Sequence, residues 1–236
     1  MRRTAVFTLF LLFLVATVGS AQWRGGLREV RGWRGDQRSW GTIGLAGVGG
    51  APTGEFRDLV DHVAGGNANL TLNLNRRGTF GLRIDGSYLR YGSENRPLPA
   101  TSTGLLRGDM TTAFYIASLR AGPEFVGTGH LRPYIFGTAG ISYFATETSA
   151  GICCGTTNYH DAVASFAGGG GLRMDITHSR RRPVSLDLGA TFVRNGAVNY
   201  LREGDIVDNP DGTYSFNPVR SETNLFLLHA GLTFGL

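Results

Sequence analysis

The last fourteen residues of the chain alternate with a period of two between an apolar and a mixed set of side chains. Successive residues of a β-strand point to opposite faces. A strand from Thr223 to Leu236 would therefore have one almost wholly apolar face, made of Asn224, Phe226, Leu228, Ala230, Leu232, Phe234 and Leu236. Hydrocarbon accepts only helices and closed barrels as membrane-spanning backbones. This strand thus predicts a barrel whose outer face meets lipid.

The first 21 residues have the pattern of a secretory signal peptide. Arg2 and Arg3 precede an apolar stretch, and small residues follow as far as Ala21. The stretch is shorter than the about 20 residues that a spanning helix needs, so we expect cleavage after Ala21. Residues 22–39 are rich in Arg, Gly and Trp and have no periodicity, which predicts a mobile periplasmic segment before a barrel over residues 40–236.

The composition favours a β-structured membrane protein. After the leader, no apolar run is long enough for a spanning helix. The 36 Gly, 8 Tyr and 14 Phe are typical of tight turns and aromatic belts, and 17% charged residues is low for a water-facing surface. The net charge of +5 comes from arginine alone, since the chain has no lysine. These arginines are scattered, which argues against a nucleic-acid-binding face.

Eight segments have strand periodicity. The clearest is residues 67–75, where Asn and Thr alternate without a break with Ala and Leu. The sequence therefore predicts an all-β protein, an eight-stranded antiparallel up-and-down transmembrane β-barrel with the even strand number that such barrels have. The predicted strands are residues 40–52, 67–75, 80–88, 111–126, 131–145, 162–178, 184–194 and 223–236.

Short and long connections alternate along the chain. Transmembrane barrels have short periplasmic turns and long outer loops, so both ends of the barrel are expected on the periplasmic side. In the first long loop, the spacing of Phe56, Leu59, Val60 and Val63 fits either a short amphipathic helix or a loop that packs its own apolar residues. The short connections are near residues 76–78, 127–130 and 179–182, and the long ones are residues 53–66, 92–110, 146–161 and 195–222.

Three features of residues 40–236 carry a family resemblance. They are the ending Leu232-Thr233-Phe234-Gly235-Leu236, the step Pro52-Thr53-Gly54-Glu55-Phe56, and the repeated Gly and aromatic residues. On these features the chain resembles the small eight-stranded outer-membrane barrels of the OmpA, OmpX and OmpW type. The resemblance implies the cell outer membrane of a diderm bacterium, with outer-membrane lipids, lipopolysaccharide and the barrel-assembly machinery as partners.

In that family the last strand carries the signal that the barrel-insertion machinery reads, and it usually ends in Phe. This chain ends in Leu. The resemblance implies that the corresponding signal here is carried by Phe226, Leu228, Leu232, Phe234 and Leu236.

Charged residues of four predicted strands share the face opposite the aliphatic side chains. Burying charges is tolerable only when they pair, and an eight-stranded barrel is just wide enough for side chains to fill it. We therefore expect a network of ion pairs in a narrow lumen, with a gated polar or ion path as the alternative. The residues are Arg83, Asp85, Arg120, Glu124, Arg173, Asp175 and Asp187.

No residue pattern points to catalysis or to a metal. His229 lies on the predicted inward face without a Ser beside it, so the chain is not predicted to be an enzyme. Cys153, Cys154, His160 and Asp161 lack zinc spacing, and the acidic last loop lacks a spaced calcium-binding pattern. No cofactor is therefore expected.

The two adjacent cysteines, Cys153 and Cys154, fall in a predicted outer loop, residues 150–158. Export through an oxidising compartment favours a disulfide. They would either close a vicinal ring within the loop or reach other chains.

The function that fits these observations is that of a monomeric outer-membrane barrel with a structural or surface-interaction role. Its outer loops would meet an extracellular ligand, and no nucleic acid is expected. One rival is a narrow channel or transporter for a small solute, which substitution of Arg120 or Asp187 would impair. A lipid-modifying enzyme is a weaker rival. A soluble secreted barrel would expose its aliphatic bands to water.

Overall fold

The computed structural model of the chain describes residues 40–75, 77–97, 109–150, 153–177, 183–209 and 214–236. The predicted signal peptide, residues 1–21, and the predicted mobile segment, residues 22–39, lie outside the described residues. Within the described ranges, no helix is both long enough and apolar enough to cross a membrane.

The described residues form twelve strands. They are β1 (Gly41–Thr53), β2 (Val63–Asn73), β3 (Phe80–Pro97), β4 (Asp109–Val126), β5 (Leu131–Ala150), β6 (Cys153–Asp175), β7 (Val184–Asn195), β8 (Ala197–Tyr200), β9 (Ile206–Asp208), β10 (Tyr214–Phe216), β11 (Val219–Glu222) and β12 (Asn224–Gly235). Eight of them pair antiparallel into a closed barrel in the order β1-β12-β7-β6-β5-β4-β3-β2. The last strand closes on the first, with Leu45 opposite Leu232. The predicted eight-stranded up-and-down barrel is thus confirmed.

The two ends of the barrel differ. At one end, which we call the turn end, β2 joins β3, β4 joins β5 and β6 joins β7, and β1 begins and β12 ends there. Gly78 and Gly129 have φ of 62° and 106° in two of these turns, a conformation that side chains with a Cβ rarely adopt. The opposite end, which we call the loop end, carries the other connections.

The outer wall of the barrel is an apolar band. Large aliphatic and aromatic side chains alternate with buried ones along each strand, as the pleat requires. In water such a continuous apolar surface would be unfavourable, whereas in a bilayer it is the expected outer face of a spanning barrel. Exposed members of the band are Leu45, Leu82, Leu119, Ile135, Ile141, Phe166, Leu188, Leu228 and Leu232.

Four strands continue past the barrel at the loop end. The prediction of a loop over residues 146–161 is wrong, because β5 runs to Ala150, β6 begins at Cys153, and the two strands stay paired there with register shifts at residues 146–147 and 149–150. Within the predicted loop 92–110, residues 92–97 and 109–110 are strand for the same reason. Outside the hydrocarbon layer a strand needs no apolar face. The alternation of apolar and polar residues is therefore lost there, although the backbone pairing continues. We call residues 91–97, 109–114, 142–150 and 153–164 the protruding sheet.

The first and last long connections contain small elements of their own. A single-turn 3-10 helix, Gly54–Asp58, follows β1 and buries Phe56. Both alternatives for this loop are therefore present in part, since it has one helical turn and packs its own apolar residues. The last connection holds two short hairpin ladders, β8 with β11 and β9 with β10.

Candidate functional site in the barrel lumen

Glu124 is the centre of the lumen charges and is fully buried. Its carboxylate accepts hydrogen bonds from Nη1 of Arg83 at 3.0 Å and from Nη1 of Arg173 at 2.6 Å. The hydroxyl of Thr71 donates to it at 3.3 Å. Since a buried charge is tolerated only when paired and hydrogen-bonded, one carboxylate here holds together side chains of β2, β3 and β6.

The ion pairs continue in both directions from Glu124. Nε of Arg173 lies 3.3 Å from Oδ2 of Asp187. On the other side, Asp85 lies 3.8 Å from Nε of Arg83 and 3.1 Å from Nε of Arg120. The order Arg120–Asp85–Arg83–Glu124–Arg173–Asp187 alternates in sign, so three cations balance three anions. Each of the six is at most 3% exposed.

Asp175 does not join this chain of ion pairs. At the turn end it pairs with Nη2 of Arg132, and the hydroxyl of Ser185 also donates to it, at 2.8 Å. Its inclusion in one central network is therefore corrected. Arg132, the second residue of β5, was not among the predicted lumen charges.

Tyr134 and His229 extend the network at its Asp187 end. The hydroxyl of Tyr134 donates to Oδ1 of Asp187 at 2.6 Å and lies 2.8 Å from Nε2 of His229. A tyrosine hydroxyl has one proton, and that of Tyr134 is donated to Asp187, so the tyrosine oxygen accepts the Nε2 proton of His229. His229 is thus a hydrogen-bond donor within the network. The sequence did not predict this role for Tyr134.

Two rings lie flat against the lumen arginines. The guanidinium of Arg83 is 4.4 Å from the ring centre of Phe136, and that of Arg173 is 4.4 Å from the ring centre of Tyr134. Such contacts are attractive because the ring face is electronegative. They add to the ion pairs in fixing both guanidinium groups.

Glycines of β6 make room for these rings. A Cβ at Gly169 would lie 2.9 Å from Cζ of Phe136, and one at Gly171 would lie 2.8 Å from the Tyr134 hydroxyl oxygen. The run of four glycines that ends at Gly171 was therefore a sequence signal for bulky side chains that lie across β6.

Neutral polar groups fill the next level of the lumen, towards the loop end. Arg120 donates to the hydroxyls of Ser165 at 3.2 Å and of Ser87 at 3.3 Å. Above it, Ser142 lies 2.8 Å from the hydroxyl of Ser118 and donates to Oδ1 of Asn195 at 3.0 Å. These bonds connect side chains of β3, β4, β5, β6 and β7 across the lumen.

A cluster of buried apolar side chains, which we call the apolar plug, lies at the loop end of the barrel. Phe56 packs edge-on against Tyr91 and Tyr200, with ring centres 5.9 Å and 5.3 Å apart. The hydroxyl of Tyr91 donates to the carbonyl of Leu201 at 2.8 Å, so the strand wall and the last connection are joined. The plug consists of Phe56, Val60, Val198, Tyr200, Leu201 and Ile206 from the connections, packed on Leu89, Tyr91, Phe114, Ile116, Phe144, Val193, Leu225 and Leu227 from the strands.

Asp161 ties the protruding sheet to the last connection. The main-chain N–H of Asn199 donates to its Oδ2 at 3.0 Å, and the Asn199 side-chain amide donates to the same oxygen at 3.1 Å. The N–H of Ala162 donates to Oδ1 at 2.8 Å. Because these bonds, the main-chain bond of Asn199 above all, stabilise the carboxylate, they hold the pKa of Asp161 below its usual value.

Cys153 and Cys154 are the first residues of β6 and not part of a loop, which corrects the predicted loop location. Their side chains lie outside the described part of the chain, so the disulfide stays a prediction. In the parts that the structure describes, no group of His, Cys, Asp and Glu is arranged to hold a metal ion.

Of the residues of the predicted insertion signal, Leu228, Leu232 and Phe234 are exposed on the outer wall, and Phe226 and Leu236 are half-buried.

Comparison with known proteins adds a fold relationship. No protein-family model matches the chain, and no curated protein matches it significantly. Among solved structures, surface protein A of Neisseria superposes on 84% of this chain and 98% of its own, with 14% identity and a TM-score of 0.50. The chain is an eight-stranded transmembrane β-barrel. This confirms the resemblance to the small outer-membrane barrels at the level of the fold.

Two further solved structures of this kind superpose less well. The attachment invasion locus protein Ail of Yersinia pestis covers 84% of this chain and 98% of its own at 16% identity, with a TM-score of 0.41. The N-terminal β-barrel domain of OprF from Pseudomonas aeruginosa covers 85% and 100% at 13% identity, with a TM-score of 0.34.

Proposed function

We propose that this chain is an integral outer-membrane protein of a diderm bacterium that holds the protruding sheet at the cell surface and passes no solute. The observation that carries the proposal is the set of buried side chains on the inner face of the barrel. Ion pairs occupy its middle, and the apolar plug buries Phe56 and Leu201 completely at the loop end. A barrel filled by its own side chains leaves the outer surface as the part that can act.

The proposal also covers the export of the chain, its insertion into the outer membrane and its binding partners. The predicted signal peptide, residues 1–21, supports export, and the outward side chains of β12 support a signal read by the barrel-assembly machinery. Outer-membrane lipids and lipopolysaccharide would contact the apolar band. The protein would act as a monomer, bind no nucleic acid, and meet an extracellular ligand at the protruding sheet.

The test begins with the full chain expressed in a diderm host. We expect it in the outer membrane after a urea wash, with a gel mobility that changes on boiling, because closed barrels keep their compact form in detergent until heated. In planar bilayers the purified protein should give no conductance steps. A soluble periplasmic protein without a mobility change would contradict the membrane assignment, and regular conductance would contradict the closed lumen.

One observation favours a narrow polar path as the second candidate. Below the plug, Nε of Arg83, Nη2 of Arg173 and Oγ1 of Thr138 find no hydrogen-bond partner among the described residues. Buried polar atoms of this kind usually bind water, so the lower lumen is a place where a solute path could start. A transport role requires conductance that falls in Arg120→Ala or Asp187→Ala while the mobility change on boiling is kept. Glu147→Gln, at an exposed site, is the matched control.

The proposal includes no catalytic step. A lipid-modifying enzyme would need a nucleophile beside His229, and the described polar contacts of His229 are with the hydroxyl of Tyr134 and the carboxylate of Asp187. Both groups are already held by Arg173, through its ion pair with Asp187 and its contact with the Tyr134 ring.

A further inference from the structure

The two ends of the barrel carry charges of opposite sign. The three connections at the turn end contain five arginines and no acidic residue, whereas the segments at the loop end contain seven arginines and twelve acidic residues. The fold therefore collects at one end arginines that are far apart in sequence, and a concentration of positive charge attracts anions. The turn-end connections are residues 74–79, 127–130 and 176–183, and the loop-end segments are residues 54–62, 90–114, 142–164 and 194–223.

The connection from β2 to β3 holds Arg77 close to the outer wall. The N–H of Gly78 donates to the carbonyl of Asn75 at 3.0 Å, and the N–H of Thr79 donates to the Asn75 side chain at 2.9 Å, so the turn is tight. Arg77 is exposed, and Leu74, three residues before it, is 60% exposed on the outer wall. Three residues span at most about 10 Å, and the headgroup layer of one leaflet is about 5–8 Å deep. A turn this short keeps the guanidinium group within reach of the lipid phosphates.

Trp40 lies beside this turn, where the chain enters the barrel. It is 65% exposed, and its carbonyl accepts the N–H of Asn73, the last residue of β2, at 2.9 Å. Tryptophan is enriched at membrane–water interfaces because its ring is apolar and its N–H is polar. An exposed tryptophan beside a turn with an exposed arginine is therefore typical of a surface that meets lipid headgroups. In sequence, the segment before Trp40, residues 22–39, adds two tryptophans, five arginines and two acidic residues.

The connection from β6 to β7 flanks Trp40 on the other side. Its last residue, Pro183, accepts the N–H of Gly235 at 2.8 Å, and the N–H of Leu236 donates to the carbonyl of Gly41 at 2.9 Å. Two strand spacings therefore separate Pro183 from β1, which is about 10 Å. Three consecutive arginines precede Pro183 in sequence. Their charges are thus about one Debye length from Trp40, since that length is about 8 Å at physiological salt.

We propose that the turn end binds negatively charged phospholipid headgroups of the periplasmic leaflet and prefers them to zwitterionic ones. The positive charge requires an anionic occupant, and the short turns require one that lies at the membrane surface itself. A cell-wall polymer would have to enter the headgroup layer to reach Arg77. Attraction to a charged surface depends on the sum of nearby charges, so the arginines of both connections contribute to it. The inference rests on the proposed function, since it requires an outer-membrane barrel with its turn end towards the periplasm.

The tryptophans make the lipid at this end measurable. All three, Trp23, Trp33 and Trp40, lie before or at the start of β1, so in a chain with Trp23→Phe and Trp33→Phe the fluorescence reports on Trp40 alone. This chain is placed in bilayer discs of phosphatidylcholine with an increasing fraction of phosphatidylglycerol. The acyl chains of one lipid or the other are brominated, because bromine quenches a tryptophan that it contacts.

We expect phosphatidylglycerol to be preferred beside Trp40. Its brominated form should quench as if it bound at least about fivefold more tightly than brominated phosphatidylcholine, since one arginine near an anionic surface contributes about that factor. High salt should bring the ratio towards one, because it screens exposed charges. Inorganic phosphate at equal ionic strength should leave the ratio unchanged, which distinguishes a lipid headgroup from free phosphate as the occupant.

Variants at two separate turns assign the preference to the turn end. Arg77→Gln should lower the ratio towards one, and so should the triple change Arg180→Gln, Arg181→Gln and Arg182→Gln, because each removes positive charge near Trp40. Arg57→Gln, which removes an exposed arginine at the loop end, is the matched control and should leave the ratio unchanged.

Three results would overturn the inference. The two lipids could quench Trp40 equally at low salt. The preference could persist when the arginines of both turns are replaced, which would mean that their charge does not select the lipid. Weak quenching by both lipids, with sedimentation on isolated cell-wall sacculi that Arg77→Gln abolishes, would make a cell-wall polymer the occupant.

Gel mobility before and after boiling, measured on the same samples, separates this failure from that of the proposed function. No change on boiling in the otherwise unsubstituted chain would mean that no closed barrel has formed, and the proposed function would fail. A mobility change without any lipid preference would overturn only the binding of anionic headgroups. If one arginine variant alone loses the mobility change, it is misfolded, and the variant at the other turn decides.

Discussion

At the scale of single residues, the lumen depends most on Glu124. Glu124→Gln keeps the shape of the side chain but leaves Arg83 and Arg173 with one anion fewer in a buried site. Breaking a buried ion pair in this way costs about 3–5 kcal/mol. We expect that loss in the free energy of unfolding, measured by urea titration of the barrel in detergent. The exposed control Glu147→Gln should change it by less than about 0.5 kcal/mol, and equal effects of the two variants would contradict the assigned role.

The glycines of β6 give a second prediction at this scale. A Cβ at Gly171 would lie 2.2 Å from the carbonyl oxygen of Leu188 and 2.8 Å from the Tyr134 hydroxyl, whereas one at Gly168 would meet nothing within 4 Å. Gly171→Ala should therefore destabilise the barrel by about 1–3 kcal/mol or more through overpacking. Gly168→Ala, on the lipid-facing side, should be nearly neutral. Similar unfolding midpoints for both variants would contradict this reading.

The sequence predicted which face of its strand each of these residues occupies, but not which side chains it contacts. A period of two says that Arg173 and Asp187 share the inner face, and the structure brings them within 3.3 Å. It does not say that Tyr134 and His229 meet Asp187, because that contact depends on barrel closure and on glycines that let rings lie across a neighbouring strand. Asp175 was assigned to the central network because the face of a residue does not reveal its height along the barrel axis; its partner Arg132 lies at the turn end.

At the scale of elements, the strands within the bilayer were predictable and the strands beyond it were not. Inside hydrocarbon one face must be apolar, so the alternation reveals the strand and its direction. Past the membrane both faces meet water, and residues such as those of 153–160 give no alternation. Their strand state comes from a ladder that continues from the barrel. The apolar plug was missed in part because Tyr200 and Leu201 belong to a connection with turn composition.

The contact between β6 and the last connection should depend on pH. The pKa of Asp161 is lowered in the folded state, so its bonds to Asn199 contribute stability that is complete above the ordinary pKa of 3.8 and is lost as pH falls through the lower folded value. Asp161 is only half-buried, so the contribution is small. The amide proton shift of Asn199, followed by NMR in bilayer discs, should titrate with a midpoint below 3.8.

Asp161→Asn is the control for this titration. It keeps an acceptor oxygen but has no proton to gain, so the Asn199 signal should stay constant over the same range. A midpoint at or above 3.8 in the unsubstituted chain would contradict the lowered pKa.

At the scale of the whole molecule, the barrel should have one orientation. The turn end carries the short connections, which face the periplasm in outer-membrane barrels. An epitope tag inserted between Asn217 and Pro218, near exposed residues of the loop end, should bind antibody on intact cells. A tag between Thr128 and Gly129, in a turn, should bind only after the outer membrane is permeabilised. The reverse pattern would contradict the orientation.

The apolar plug also bears on the order in which the molecule is assembled. It joins Phe56, from the first connection, to Tyr200, from the last, so nearly the whole barrel lies between its two halves in sequence. Contacts so distant in sequence form late. A chain that stalls before β12 meets β1 would leave these aromatic side chains in water, where chaperones and proteases recognise incomplete proteins. A packed apolar plug therefore indicates that the barrel has closed.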